Sequence, residues 1–177
     1  MQATHSKNSH SLEHKRSTPN SKLLEIERDF IVPVSQLFEA FMTADAIKGW
    51  WWPKGLYTDH VDYDFTEGGK YFMNLKGNEL GVGMTGKFEA IIANEHIVMS
   101  DHFADKNGRS ISAKEAKQTG VWPAVVYITF DFEKVGEDDS KLRLSQQGIP
   151  NEGQKDCIEA WNQMFDKLEA YLIDHVH

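Results

Sequence analysis

The sequence of 177 residues contains one cysteine, Cys157, and no long apolar run. One thiol cannot close an intramolecular disulfide or supply a zinc site built on several thiolates. A membrane-spanning helix needs roughly 18 consecutive apolar residues, and residues 1–22 also lack the apolar core of a secretory signal. We therefore expect a cytoplasmic protein that crosses no membrane and needs no metal or cofactor.

An excess of positive charge is also missing. The chain has 19 lysines and arginines against 27 aspartates and glutamates, for a formal net charge of -8. Residues 23–177 alone carry 15 basic and 26 acidic side chains. An acidic surface repels a phosphate backbone, and no basic stripe with interleaved aromatic residues is present. The sequence predicts no nucleic-acid partner.

Residues 1–22 contain almost no apolar side chain and are rich in Ser, Asn, His and Lys. Such a segment buries too little surface to offset the entropy of ordering, which predicts a disordered polar tail. Its histidines, His5, His10 and His14, are better explained by a solvated tail than by a metal site. Residues 23–177 are long enough for one domain, since domains span about 100 to 200 residues.

Hydrophobic periodicity predicts the order of the secondary-structure elements. Residues 23–32 alternate as a strand, two short helices follow over residues 34–48, and about six strands lie between residues 60 and 145. Ser35 and the Asn151/Gln154 pair are predicted helix caps. From Asn151 onward an apolar stripe predicts the longest helix. A long helix separated from the strands indicates an α+β fold, in which a curved antiparallel sheet encloses the helix and leaves an apolar cleft.

The connections contain two unusual segments. Three consecutive tryptophans, Trp50, Trp51 and Trp52, cannot all point the same way, and we expect one or two in the core and one at the mouth of the cleft. Residues 104–123 form a long polar loop with a predicted turn at Ala113–Lys117. Loops of that length are commonly functional.

The chemical motifs are weak. Gly81, Gly83 and Gly86 match a dinucleotide-binding spacing, but strand-like residues follow where that motif requires a helix. Neither a nucleophile elbow nor a zinc-protease helix is present, and Cys157 lies on the apolar stripe as a small hydrophobic residue. The strands carry residues that would act as acid or base if they pointed into the cleft: His60, Asp101, His102, Tyr127 and Arg143. Alternation favours an exposed position for the last two.

Several strings together resemble one family. They are VPVSQLFEAFMTADAIKGWW, FTEGGKYFMN, HFADKNG, TGVWPAVVYITFDFEK, KLRLSQQGIP and EAWNQMFDKLEAYL. Over residues 23–173 the chain is similar to the START-like (SRPBCC, helix-grip) superfamily, and within it to single-domain bacterial members of the family named for the activator of the heat-shock protein 90 ATPase. The resemblance implies six to seven strands around the closing helix and a cavity for an apolar or aromatic small molecule, lipid or polyketide-like, with a role in stress response.

By position, the resemblance implies a set of cavity-lining side chains: Phe38, Phe41, Trp50, Val61, Tyr63, Phe65, Tyr71, Met73, Met99, Ile128, Phe130, Trp161, Met164, Phe165 and Leu168. His102, Tyr127 and Arg143 are the candidate polar contacts, and no residue is assigned as catalytic. Two alternatives to a binding module stay open. One is a cyclase- or aromatase-type enzyme, and the other is a co-chaperone-like domain that contacts a protein partner, such as a chaperone, through residues 104–123. A monomer and a homodimer are both compatible with the sequence.

Overall fold

A computed structural model describes residues 23–175 of the chain. The predicted tail (1–22) and His177 lie outside the described residues. Along the chain the elements are β1 (Leu24–Phe30), α1 (Val34–Glu39), α2 (Ala44–Trp50), β2 (Val61–Tyr63), β3 (Lys70–Met73), β4 (Gly83–Ile92), β5 (His96–Ala104), β6 (Val126–Lys134), β7 (Ser140–Gln147) and α3 (Asn151–Asp174). The α+β class and the predicted order of elements are confirmed.

All seven strands form one antiparallel sheet in the order β1-β7-β6-β5-β4-β3-β2. Strands β2 to β7 pair with their neighbours in sequence, as connections between adjacent strands usually do. The first strand pairs instead with the last, with Ile26 opposite Leu144 and Arg28 opposite Leu142. As a result β1 and β2 are the two edge strands of the sheet. The segment with α1 and α2 connects these two strands in the sequence.

The predicted caps of two helices are wrong. Pro33 and Pro150 are the N-cap residues of α1 and α3, and neither helix has a side-chain cap. Asn151 is already helical, and the Gln154 side chain donates to the carbonyl oxygen of Ile149 at 3.0 Å. Each proline has the extended ψ of a residue that precedes a helix. The helix therefore begins after it without a side chain that accepts a hydrogen bond from the first turn.

The core lies between the concave face of the sheet and the two shorter helices, and it is dense in aromatic rings. Phe41 packs edge-to-face on Trp50, Phe130 and Phe132 at 4.9 to 5.1 Å between ring centroids. Such pairs add about 0.5 to 1.5 kcal/mol beyond area burial. The Trp50 indole donates to the Ala40 carbonyl at 2.9 Å, and the Tyr63 hydroxyl donates to the Phe41 carbonyl at 2.5 Å. The aromatic core therefore also satisfies backbone groups that the end of α1 leaves free.

Gly83 and Gly86, which are part of the dinucleotide-like spacing, have a structural role in strand β4. Gly83 begins the strand, which continues to Ile92, so no helix follows to receive a pyrophosphate. A Cβ at Gly86 would lie 1.9 Å from the carbonyl oxygen of Ser100. Gly86 is therefore required by a close approach of two strands, and the strand predicted to follow the glycines is confirmed.

Candidate functional site: a cavity between the sheet and α3

A cavity of about 550 Å³ lies under the first half of α3. Its floor is the inner face of three adjacent strands, with Met84 from β4, Phe103 from β5, and Val126 and Ile128 from β6. Its roof consists of α3 side chains spaced three and four apart: Cys157, Ala160, Trp161 and Met164. This spacing places all four on one face of the helix.

One side wall is the corner after α2. Trp51 is buried and Trp52 is half-buried, and both line the cavity, followed by Pro53 and Leu56. Trp52 has φ of +79°, which is uncommon for a bulky side chain, and its indole donates to the Asn74 carbonyl at 2.8 Å. The Lys167 ammonium donates to the carbonyl oxygens of Trp52 and Leu56 at 2.9 and 3.2 Å. The corner is therefore fixed to both the sheet and α3.

The opposite wall is the long loop between β5 and β6. Ile111, Trp122 and Pro123 line the cavity, and the Trp122 ring packs edge-to-face on Phe103 at 5.2 Å. The predicted turn at Ala113–Lys117 is present, where Ser112 and Glu115 bond reciprocally in a capping box. The loop is thus an ordered wall whose apolar residues face the cavity.

Polar groups in this lining are few, and Gln146 of β7 is one of them. Its side chain is buried, and its Oε1 accepts a hydrogen bond from the Trp161 indole at 2.9 Å. Burial excludes water from this bond, so the bond fixes the orientation of the largest ring in the roof. Trp161 in turn packs on Trp51 and Phe130.

Asp101 of β5 also lines the cavity and has no counter-charge. Its Oδ1 is shielded from water and has no hydrogen-bond partner among the described residues. Burial raises the pKa of Asp101 to about 8 because the charged carboxylate loses its hydration. Burial therefore favours the neutral carboxylic acid of Asp101 over the charged carboxylate at neutral pH.

The position of Asp101 follows from the pairing of residues across β3, β4 and β5. Tyr71 pairs with Gly86, and the register between the Thr85–His102 and Phe88–Met99 pairs sets Gly86 opposite Asp101. Because Gly86 has no side chain, the Tyr71 ring can lie across β4. Its hydroxyl donates to the Ser100 carbonyl at 2.8 Å and also approaches the Asp101 carboxyl, offsetting part of the pKa shift.

Cys157 stands in the roof of the same cavity. Burial, together with the nearby Asp156 and Asp101, raises the pKa of its thiol to about 11. A nucleophilic cysteine needs a lowered pKa. The geometry therefore agrees with the interpretation of Cys157 as a small hydrophobic residue.

The structure separates the predicted cavity residues into two groups. Ile128, Trp161 and Met164 line the cavity. The others pack in or against the aromatic core: Phe38, Phe41, Trp50, Val61, Tyr63, Phe65, Tyr71, Met73, Met99, Phe130, Phe165 and Leu168. Inward-facing alternation marks both groups in the same way, so the sequence offers no signal that distinguishes them.

The three candidate polar contacts lie in different places. His102 is among the cavity-lining residues. Tyr127 is 38% exposed, and Arg143 bonds to Glu27 and Glu133 on the outer surface of the sheet. Four polar residues that line the cavity were not among these candidate contacts: Asp101, Ser112, Gln118 and Gln146. Asp101 was recognisable as an acid on an inward position of a strand, two residues from Phe103 and Met99.

Within residues 23–175, no group of three or more His, Cys, Asp or Glu side chains is placed to hold a metal ion. No helix among these residues is long and apolar enough to cross a membrane.

A curved antiparallel sheet that encloses one long helix over an apolar cavity defines a helix-grip protein of the START-like class. The family model of the activator of Hsp90 ATPase homolog 1-like protein matches residues 32–173, and the chain belongs to this family.

Solved bacterial structures share the fold. A Chromobacterium violaceum protein superposes with a TM-score of 0.70 at 22% identity, covering 88% of this chain and 98% of that one. The AHSA1 protein from Silicibacter pomeroyi superposes with a TM-score of 0.69 at 23% identity, covering 87% and 100%. A Staphylococcus epidermidis protein has a TM-score of 0.70 at 17% identity, covering 92% and 96%. No curated protein gives a significant match.

Proposed function

We propose that the protein binds an apolar or aromatic small molecule, lipid or polyketide-like, in the cavity between the sheet and α3. The observation that carries this proposal is the cavity itself. Its volume of about 550 Å³ lies within the roughly 300 to 1,000 Å³ range of ligand pockets. Walls of tryptophan and aliphatic side chains with few polar groups suit a flat apolar ligand, because burial supplies about 25 cal/mol per Å² of apolar surface.

Native mass spectrometry of the purified protein tests this proposal first. A retained apolar compound identifies a ligand class, and the same spectrum reports whether the protein is a monomer or a homodimer. Thermal-shift screening against fatty acids, sterols, flavonoids and polyketide-like aromatics then follows. A ligand at about 100 times its dissociation constant adds roughly 2.7 kcal/mol of stability.

A matched pair of variants on α3 locates the binding. Ala160 lines the cavity, so Ala160→Trp fills it from the roof. Ala170 is exposed on the same helix away from the cavity, so Ala170→Trp adds the same ring outside it. We expect Ala160→Trp to abolish stabilisation by a ligand and Ala170→Trp to preserve it. Equal behaviour of the two variants would remove the proposal.

A cyclase- or aromatase-type activity is the second candidate, and the observation that favours it is Asp101. A carboxyl group with a pKa near neutrality in a dry cavity is suited to proton transfer. Incubation of the protein with its retained ligand, followed by product mass analysis, tests for turnover. Turnover that Asp101→Asn eliminates, with binding unchanged, would favour the enzyme over the binding module.

The single cysteine of the chain favours a reducing cytoplasm as the place of this function.

A further inference from the structure

We infer that Asp101 orients the ligand, and that the cavity selects uncharged molecules with a carbonyl or hydroxyl oxygen over carboxylate anions of the same shape. This inference rests on the proposed function and adds to it the chemical class of the ligand.

The first support is the unsatisfied carboxyl group. Buried side-chain oxygens nearly always have a hydrogen-bond partner, yet Oδ1 of Asp101 has none among the described residues. The last torsion of an aspartate is broad and roughly two-fold, so the carboxyl can turn and present either oxygen to the cavity. A ligand oxygen within reach would satisfy a group that the protein leaves without a partner.

The second support is the absence of positive charge around the site. Among the described residues that line the cavity, there is no lysine or arginine. A ligand carboxylate would lose its hydration there with no cation to compensate it, which carries a large free-energy penalty. This argues against a free fatty acid as the ligand.

The groups around Asp101 leave it as the available donor. Tyr71 of β3 donates its hydroxyl to the Ser100 carbonyl and also approaches the Asp101 carboxyl, and burial keeps the pKa of Tyr71 well above its usual value. Cys157 of α3 stays a neutral thiol, and His102 is the neighbour on β5 itself. Val126 lies opposite on β6 and has no polar side chain. A neutral Asp101 therefore donates its O–H to a ligand oxygen and accepts from a ligand hydroxyl at its other oxygen.

The third support concerns stability. A carboxyl group whose ionisation the fold opposes is a burden at neutral pH, and residues of this kind are concentrated at functional sites. The space for Asp101 and Tyr71 also depends on Gly86, which itself allows no side chain. Three adjacent strands are thus arranged around the one acid of a mostly apolar lining.

Three pyrene compounds of similar shape test the inference by fluorescence titration: ethylpyrene, acetylpyrene and pyrenecarboxylic acid. Near pH 6 we expect wild type to bind acetylpyrene about tenfold tighter than ethylpyrene, as one hydrogen bond to a buried acid predicts, and to bind the carboxylate most weakly. Near pH 9.5 the ionised Asp101 can no longer donate, and the acetylpyrene preference should disappear.

Two variants separate the effect of the side-chain shape at position 101 from the effect of the proton that Asp101 donates. Asp101→Asn keeps a donor that does not titrate, so its acetylpyrene preference should persist at both pH values. Asp101→Leu removes the donor, so its affinities for acetylpyrene and ethylpyrene should be equal at both pH values. Thermal unfolding confirms that each variant is folded.

The outcomes distinguish this inference from the proposed function. Equal binding of ethylpyrene and acetylpyrene by wild type, or a preference that survives in Asp101→Leu, would overturn the inference while leaving apolar binding in place. Failure of all three compounds to bind wild type would count against the proposed function and against this inference with it.

Discussion

The two halves of α3 pack against the same sheet with opposite results. The second half, with Phe165, Leu168 and Leu172, closes over the aromatic core and leaves its side chains buried. The first half, with Cys157, Ala160 and Trp161, roofs a cavity. Both halves present an apolar face to an apolar sheet, so hydrophobicity does not explain the difference.

What differs is the layer between helix and sheet. Under the second half, α1, α2 and the connection between them contribute Phe38, Trp50 and Phe41, whose rings fill the concavity. Under the first half, only the Trp51–Leu56 corner and the β5–β6 loop are present, and they form side walls without filling the space. A sheet curved enough to enclose a helix needs an additional layer to be filled, and here that layer covers one end.

The largest expected effect is the loss of stability when a side chain is removed from the second half of α3, over the filled core. Leu168→Ala removes a fully buried side chain from the core, and we expect a loss of about 2 to 5 kcal/mol of unfolding free energy. Cys157→Ala, on the same helix over the cavity, should change it by less than about 1 kcal/mol because the space beneath is already open. Urea denaturation of both variants measures the contrast. Similar losses would show that both halves are packed alike.

The second prediction concerns the carboxyl in the open half. Because the folded state holds the pKa of Asp101 near 8 and the unfolded state near the usual 3.8, the folded protein binds more protons between these values. Stability therefore falls as pH rises through this window. Asp101→Asn lacks this loss, so its unfolding free energy should exceed that of wild type by several kcal/mol near pH 8.

Unfolding free energies of wild type and Asp101→Asn at a series of pH values provide the measurement. Their difference should grow from about pH 4 to pH 8 and then level off. A difference that stays constant across the series would mean that Asp101 ionises normally in the folded protein.

The third prediction concerns Gly86, which lies between Tyr71 and Asp101 in the sheet. Gly86→Ala places a methyl group against the Ser100 carbonyl, where the ideal separation is only 1.9 Å. We expect a loss of about 1 to 3 kcal/mol from overpacking, together with a displaced Tyr71. Gly136→Ala is the control, since its nearest neighbour would lie at 3.5 Å. Thermal melts of both should show a lower Tm for Gly86→Ala alone.

The smallest effect is expected at the boundary of the two halves. Lys167→Met keeps the length of the side chain and removes the ammonium bonds to Trp52 and Leu56. Since Lys167 is partly solvated, the loss should not exceed about 1 kcal/mol. Its clearer signature should be a more mobile corner, seen as faster amide exchange at residues 52–56. Unchanged exchange there would show that the contacts of the corner with Asn74 and Gln163 fix it without Lys167.

The sequence predicted which helices and strands are present better than it predicted their first and last residues. Alternation located every strand, but the predicted strand from His60 to Phe65 is present only as Val61–Tyr63, and the first strand ends at Phe30 although apolar residues continue to Val32. The caps at Ser35 and Asn151 were wrong because a residue preceding a helix can be set by backbone conformation alone, as Pro33 and Pro150 are.

For the site, the resemblance located the cavity between the right elements but not its walls. Trp51, Trp52 and Trp122 line it, while Phe41 and Phe130 do not. The tryptophan corner behaves as predicted, with two indoles buried and a third half-buried. The contact of loop residues 104–123 with a protein partner stays a prediction, although Ile111 of the same loop lines the cavity.

The sequence by itself determined the α+β class, the order of the elements and the apolar face of α3, because each follows from local periodicity within a few residues. Only the tertiary structure decided that β1 pairs with β7 and that one end of the concave sheet is filled and the other open. It also decided that Oδ1 of Asp101, in the open end, has no hydrogen-bond partner among the described residues. Those features depend on distances between residues far apart in the chain, and a repeating pattern of inward-facing side chains is the same whether they meet one another or surround a cavity.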